Sequence, residues 1–178
     1  MIVAIDGPQH SGKTTCLESL REHPALAKVH FVEEVARDIA PRFGVSTTDD
    51  WCPLLEDRVR LAEFFDAEYD ALHALEVDPA IVDGSALLVT AYQRVFLDAS
   101  AEPKYEPQYD RIFLCEPWGT PQSDGFRFLA GQVQVLDAYR TLLVELGLFN
   151  RLVELPATED RLVNLKAHPV WRRILSRS

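Results

Sequence analysis

The stretch Ile2-Val3-Ala4-Ile5-Asp6-Gly7-Pro8-Gln9-His10-Ser11-Gly12-Lys13-Thr14-Thr15 decides how this chain folds. A short apolar run enters a loop that matches G-x-x-x-x-G-K-[ST], the Walker A pattern, from Gly7 to Thr14 without a mismatch. Thr14 to Leu20 then carries apolar positions at helical spacing, so the segment reads as strand, loop, helix. In that order the loop amides and the helix N-terminus converge on one spot and suit the oxygens of a polyphosphate such as ATP. Gly7 and Gly12 allow the tight path and the close approach of phosphate, with Gln9, His10 and Ser11 completing the cradle. His10 itself reads as incidental to the loop. Lys13 supplies charge for the β- and γ-phosphates, the Thr14 hydroxyl is placed for Mg²⁺, and Thr15 for a hydrogen bond to the α-phosphate.

Working outward, Val29 to Val32 reads as a second strand that ends in Glu33-Glu34 and feeds a short helix closed by Pro41. From Pro53 to about Glu76 apolar residues recur at three and four positions, which predicts one long amphipathic helix, with a cap in Thr48 to Asp50. Ala80 to Gly84 is a third strand followed by a helix over Ser85 to Leu97. Tyr109 to Cys115 and Arg151 to Leu155 are the fourth and fifth strands. Between them lie a polar loop, Glu116 to Gly125, and a helix over about Leu129 to Leu146 that stops at Gly147. Nearly continuous apolar strands separated by helices call for an α/β fold with a parallel sheet covered on both faces. Nothing in residues 1–178 divides the chain into two domains.

Composition narrows the partners. With 47% hydrophobic and 26% charged residues the chain is an ordinary globular one, and 28 acidic against 18 basic residues give a net charge of −10, which disfavours nucleic acid and anionic membranes. The exception is the stretch from Arg161 to Ser178, where Arg161, Lys166, Arg172, Arg173 and Arg177 meet no acidic residue. This basic tail either tracks phosphates or ends as a solvated helix. Cys16, Cys52 and Cys115 have neither disulfide-framework nor zinc spacing. No apolar run spans a bilayer and no signal segment opens the chain, so a cytoplasmic location is expected.

Three carboxylates fall at strand ends, where open parallel sheets bind ligands: Asp6, Glu34 and Asp83. All three are expected around the γ-phosphate and the acceptor. Glu34 is the first choice of general base and Asp83 the second, with Asp83 also joining Thr14 on Mg²⁺. Arg37 either pairs with Glu34 or holds an anionic part of the acceptor. Trp51, Tyr69, Tyr92, Trp118 and Phe126 are aromatics that stack a base or fill the core.

Glu34-Val35-Ala36-Arg37 resembles the E-x-A-R element of the ribosylnicotinamide kinase domain of bacterial NAD-biosynthesis regulators and of related small AAA-type ATPases or predicted kinases. The resemblance continues through Ile81-Val82-Asp83-Gly84, Tyr109 to Leu114 with Pro117-Trp118, Asp124-Gly125-Phe126-Arg127 and Leu152 to Pro156. It implies a three-layer P-loop NTPase fold with sheet order 2-3-1-4-5 and a lid over about 116–128, with Arg127 as its catalytic arginine. Related kinases often place arginine directly after the strand-three aspartate, where this chain has Gly84. The expected function is transfer of the γ-phosphate of ATP to a hydroxyl of a nucleoside-like or nucleotide-like molecule. The alternatives are a regulatory nucleotide-binding switch and a kinase acting on a modified base in DNA.

Overall fold

The computed structural model describes residues 1–75, 78–118 and 131–175. Five strands, β1 (Ile2–Asp6), β2 (His30–Val32), β3 (Ala80–Asp83), β4 (Tyr109–Cys115) and β5 (Leu152–Leu155), form one parallel sheet in the order β2-β3-β1-β4-β5. The helices are α1 (Lys13–Arg21), α2 (Ala36–Ile39), α3 (Trp51–Glu56), α4 (Arg58–Leu75), α5 (Ala86–Phe96), α6 (Gln132–Glu145), α7 (Arg161–Ala167) and α8 (Val170–Leu175). None of the helices among the described residues is long and apolar enough to cross a membrane.

The two-residue period of a strand sorts the core into two layers. Ile2 and Ala4 join Ala80, Val82, Ile112 and Leu114 on the face covered by α4, α5 and α6. Val3 and Ile5 join Ile81, Phe113 and Cys115 on the opposite face, against Cys16, Leu17 and Leu20 of α1 and Leu165, Trp171 and Ile174 of α7 and α8. The sheet therefore needs apolar residues on both faces of its central strands, and β1 is buried along its whole length. Register pairs Ile5 with Asp83 and Asp6 with Leu114, so β1, β3 and β4 end level with one another. From β1 the chain crosses to β2 at one edge and comes back through β3, then passes over β1 to β4 and β5 on the other side, and the loop after β1 lies at the carboxyl ends where this direction reverses.

Three expectations change. The single helix over Pro53 to Glu76 is two helices, because Asp57 leaves helical geometry at φ −94° and ψ 90°. Its Oδ1 accepts the amides of Val59 and Arg60 at 3.2 and 3.1 Å, capping α4 in the manner of an N-cap. The basic tail is folded through residue 175: Trp171 is buried and its Nε1 donates to the Leu165 carbonyl at 2.5 Å, while Lys166 pairs with Glu22 at 3.8 Å. Arg161, counted from the sequence in a tail that either tracks phosphates or ends as a solvated helix, is 3% exposed.

Asp6, expected beside the substrate, does not reach the cleft. It is wholly buried, accepts from the Ser85 amide and hydroxyl at 2.6 Å each, and accepts from the Tyr139 hydroxyl. Burial pushes its carboxyl up, with the Ser85 and Tyr139 hydrogen bonds acting against that. Its carboxylate fastens β1 to the start of α5 and to α6.

Candidate active site

The phosphate loop takes a path that side chains would block. Gly7 sits at φ +146°, and a Cβ there would lie 2.4 Å from the Cys115 carbonyl oxygen and 2.5 Å from Ser11 Oγ. Gly12, at φ +82°, precedes α1 and brings no capping side chain to the helix N-terminus. The first amides of α1 thus point toward the loop, the arrangement that binds anions. Gln132 Nε2 holds the Gln9 carbonyl from outside at 2.7 Å.

Lys13 is 5% exposed and its ammonium donates to the carbonyls of Gly7 at 2.9 Å and Pro8 at 3.2 Å. The Thr14 hydroxyl donates to Asp83 Oδ2 at 2.7 Å, joining the helix start to the end of β3. A hydroxyl and a carboxylate side by side are hard oxygen donors that suit Mg²⁺. Ser11 Oγ is buried with no hydrogen-bond partner among the described residues, as fits a cradle built for a polar ligand. His10, Gly12, Lys13, Thr14, Thr15 and Arg37 border one open recess over this loop.

Beside it opens a cleft of about 780 Å³, its mouth included. Gln9, Lys13, Glu34, Glu68, Asp83 and Ser85 are its polar lining. Leu61, Phe64, Phe65 and Leu88, with Trp51, Tyr92 and Phe96, are among its apolar and aromatic lining. Trp51 meets Phe64 edge to face at 5.5 Å, which fixes that wall. Glu34 accepts from Arg37 Nε at 2.9 Å and is mostly covered. Arg37 borders the recess over the loop and is not among the residues that line the neighbouring cleft.

The expected residues Gln9, Lys13, Glu34 and Asp83 are therefore brought to one cleft, and Thr14 is joined to it through Asp83. Of the expected aromatics, Trp51 and Tyr92 line it, whereas Tyr69 is buried in the core against Tyr105. Trp118 does not line that cleft; it borders a second recess with His10, Gly12 and Thr15 of the phosphate loop, under the Arg161 guanidinium at 5.2 Å. Arg127 and Phe126 lie outside the described residues, as does most of the expected lid.

Sequence reasoning missed Glu68. It keeps some surface toward the opening, but apolar neighbours and distance from bulk water push its carboxyl up to about 8; the charge of Glu34 adds to this and Lys13 opposes it. The signal was its register: Glu68 falls on the buried stripe formed by Leu61, Phe64, Phe65 and Leu72. A carboxyl in that stripe requires a polar opening in front of it.

Solved structures similar to this chain include two of NadR protein. One is NadR protein in complex with NR, 22% identical, TM-score 0.63, with 86% of this chain and 45% of that chain covered. The other is NadR protein in complex with NAD and AMP-PNP, 19% identical, TM-score 0.57, with 86% of this chain and 44% of that chain covered. The chain spans less than half the length of these solved relatives, and the likeness is one of fold. No curated protein matches it by sequence. The model of the AAA domain family matches residues 2–158, which contain the phosphate loop and all five strands, and the chain belongs to that family.

Proposed function

We propose that the protein is a P-loop kinase that moves the γ-phosphate of ATP to a hydroxyl of a nucleoside-like or nucleotide-like acceptor. The observation that carries this reading is the cleft beside Lys13, lined both by the carboxylates Glu34, Glu68 and Asp83 and by aromatic and apolar side chains. A nucleotide-driven switch would turn the apolar face of α3 and α4 outward to a partner. Here Leu55, Leu61, Phe64 and Phe65 of those helices line the cleft. The NadR structures, one holding NR and one holding NAD and AMP-PNP, support the same class of acceptor and donor.

Bound MgATP supplies the transferable phosphoryl group and the metal's countercharge. Thr14 and Asp83 are the residues that would hold Mg²⁺. Lys13 leaves the carbonyls of Gly7 and Pro8 for the phosphate oxygens and neutralises charge that develops on them. Arg37, at the rim of the same recess, adds a second cation there. Glu34 faces the acceptor side and takes the proton of the attacking hydroxyl, since Asp83 is engaged by Thr14. Glu68, protonated near neutral pH, donates a hydrogen bond to the acceptor across from Glu34. Transfer of label from γ-³²P-ATP to a panel of nucleosides and nucleotides tests the proposal. Labelled product that disappears in Lys13→Ala is expected. ATP binding with transfer to no acceptor, together with nucleotide-dependent capture of a protein partner, would replace the kinase with a switch.

A further inference from the structure

Arg161 opens α7, far from the phosphate loop in sequence, yet its guanidinium lies directly behind that loop. Three of its nitrogens each take a carbonyl from a different segment: Nη1 donates to Ser11 O at 2.5 Å, Nη2 to Glu116 O at 2.7 Å, and Nε to Pro156 O at 2.8 Å. The side chain is 3% exposed and has no carboxylate partner among the described residues. Burying a cation against three main-chain carbonyls and the Trp118 ring, with no carboxylate, is a costly way to tie three loops together. Its position explains the cost better than general packing does.

A trans peptide is planar, so its carbonyl oxygen and the following N–H point to opposite sides. With the Ser11 oxygen drawn outward to Arg161, the Gly12 N–H is turned inward, to the side where a phosphate oxygen would sit. Glycine tolerates either orientation of the preceding peptide at little steric cost, so the loop sequence does not by itself select the inward amide. The flipped peptide would aim a carbonyl at an anion. Arg161 Nη1 also lies where a Gly12 Cβ would be 3.4 Å away, so the guanidinium packs against the outer side of that residue.

We propose that Arg161 is a positioning residue of the phosphate site: it holds the Ser11–Gly12 peptide in the one orientation that presents the Gly12 amide to a polyphosphate, and adds a fixed positive charge behind the loop. The inference rests on the nucleotide-binding part of the function proposed above. It requires that the effect appear with a ligand that has no base or sugar.

The test is calorimetric titration of inorganic tripolyphosphate and of ATP, each with Mg²⁺, into wild type, Arg161→Lys, Arg161→Met and Trp171→Phe. Lysine keeps the charge but cannot reach three carbonyls from one nitrogen, whereas methionine loses both. The expected result is tripolyphosphate binding weakened about 10-fold in Arg161→Lys and about 100-fold in Arg161→Met. Trp171→Phe loosens the same helices by removing the bond to the Leu165 carbonyl and should stay within about twofold of wild type. Arginine variants that bind within twofold of wild type, or an equal loss in Trp171→Phe, would overturn the positioning role. Wild type that binds neither ligand would overturn the nucleotide-site reading and this inference with it; normal wild-type binding that Lys13→Ala abolishes keeps the two apart.

Discussion

Replacing Glu68 by glutamine should make the protein more stable, and increasingly so as pH rises. In the folded chain the Glu68 carboxyl is pushed up from 4.5 to about 8, by burial first and by the charge of Glu34 second. A group that binds its proton more tightly in the folded state contributes stability that is fully present below about pH 4.5. That contribution is lost as pH climbs through the folded value near 8. At about 1.4 kcal/mol per pH unit, the ceiling on the loss is about 2 kcal/mol at pH 6 and about 4 kcal/mol at pH 8. Glu68 keeps part of its surface toward the cleft opening, and solvent screening roughly halves these figures, leaving about 2 kcal/mol at pH 8. For a chain of this size that is a rise in Tm of about 4–8 °C for Glu68→Gln over wild type. The assay is thermal unfolding of both proteins from pH 5.5 to pH 8.5 in one ionic strength. In a Glu34→Gln background the gain should shrink, because the neighbouring charge that raises Glu68 is gone. A Tm difference that is flat with pH, or that falls toward pH 8.5, would show that Glu68 titrates like a solvated carboxylate and that the cleft does not hold it as an acid.

Three other outcomes follow from single contacts. Lys13→Ala should lower phosphoryl transfer by about 10²–10³-fold, read as labelled product, while Tm moves by a few degrees at most. Gly7→Ala should cost about 3 kcal/mol in urea unfolding and abolish ATP binding, because the new Cβ would sit 2.4 Å from a backbone oxygen that cannot yield. Asp57→Ala should cost about 1 kcal/mol by removing the acceptor for the Val59 and Arg60 amides, seen as a lower urea midpoint with an unchanged slope.

What could be read in the sequence divides along a physical line. The strands, the phosphate loop and the meeting of Lys13, Thr14 and Asp83 follow from local signals, since each residue's place is set by the element it begins or ends, whereas the strand order comes from the family resemblance. The residues that escaped are those whose meaning depends on what lies opposite. Asp57 carries the chemistry of a helix cap, but apolar spacing runs unbroken across it and hides the break. Glu68 looks like any charged residue of an amphipathic helix until the buried stripe is phased through it. Asp6 shares its position with catalytic carboxylates, and only the donors brought by α5 and α6 turn it into an internal fastener.

Arg161 is the sharpest of these cases, because its sequence context left its place open. Five basic residues with no acidic one among them read either as charge that tracks phosphates or as a solvated helix end. The apolar residues between them, Leu165, Val170, Trp171 and Ile174, fix the helices on the sheet, and docking them carries Arg161 under the phosphate loop. The net charge of −10 is therefore a poor guide to the field at the site. Two nearly buried cations, Lys13 and Arg161, are both bonded to main-chain carbonyls of the same phosphate loop. An acidic protein that binds an anion must concentrate its positive charge in this way, and burial makes each of those charges count for more than its share of the total.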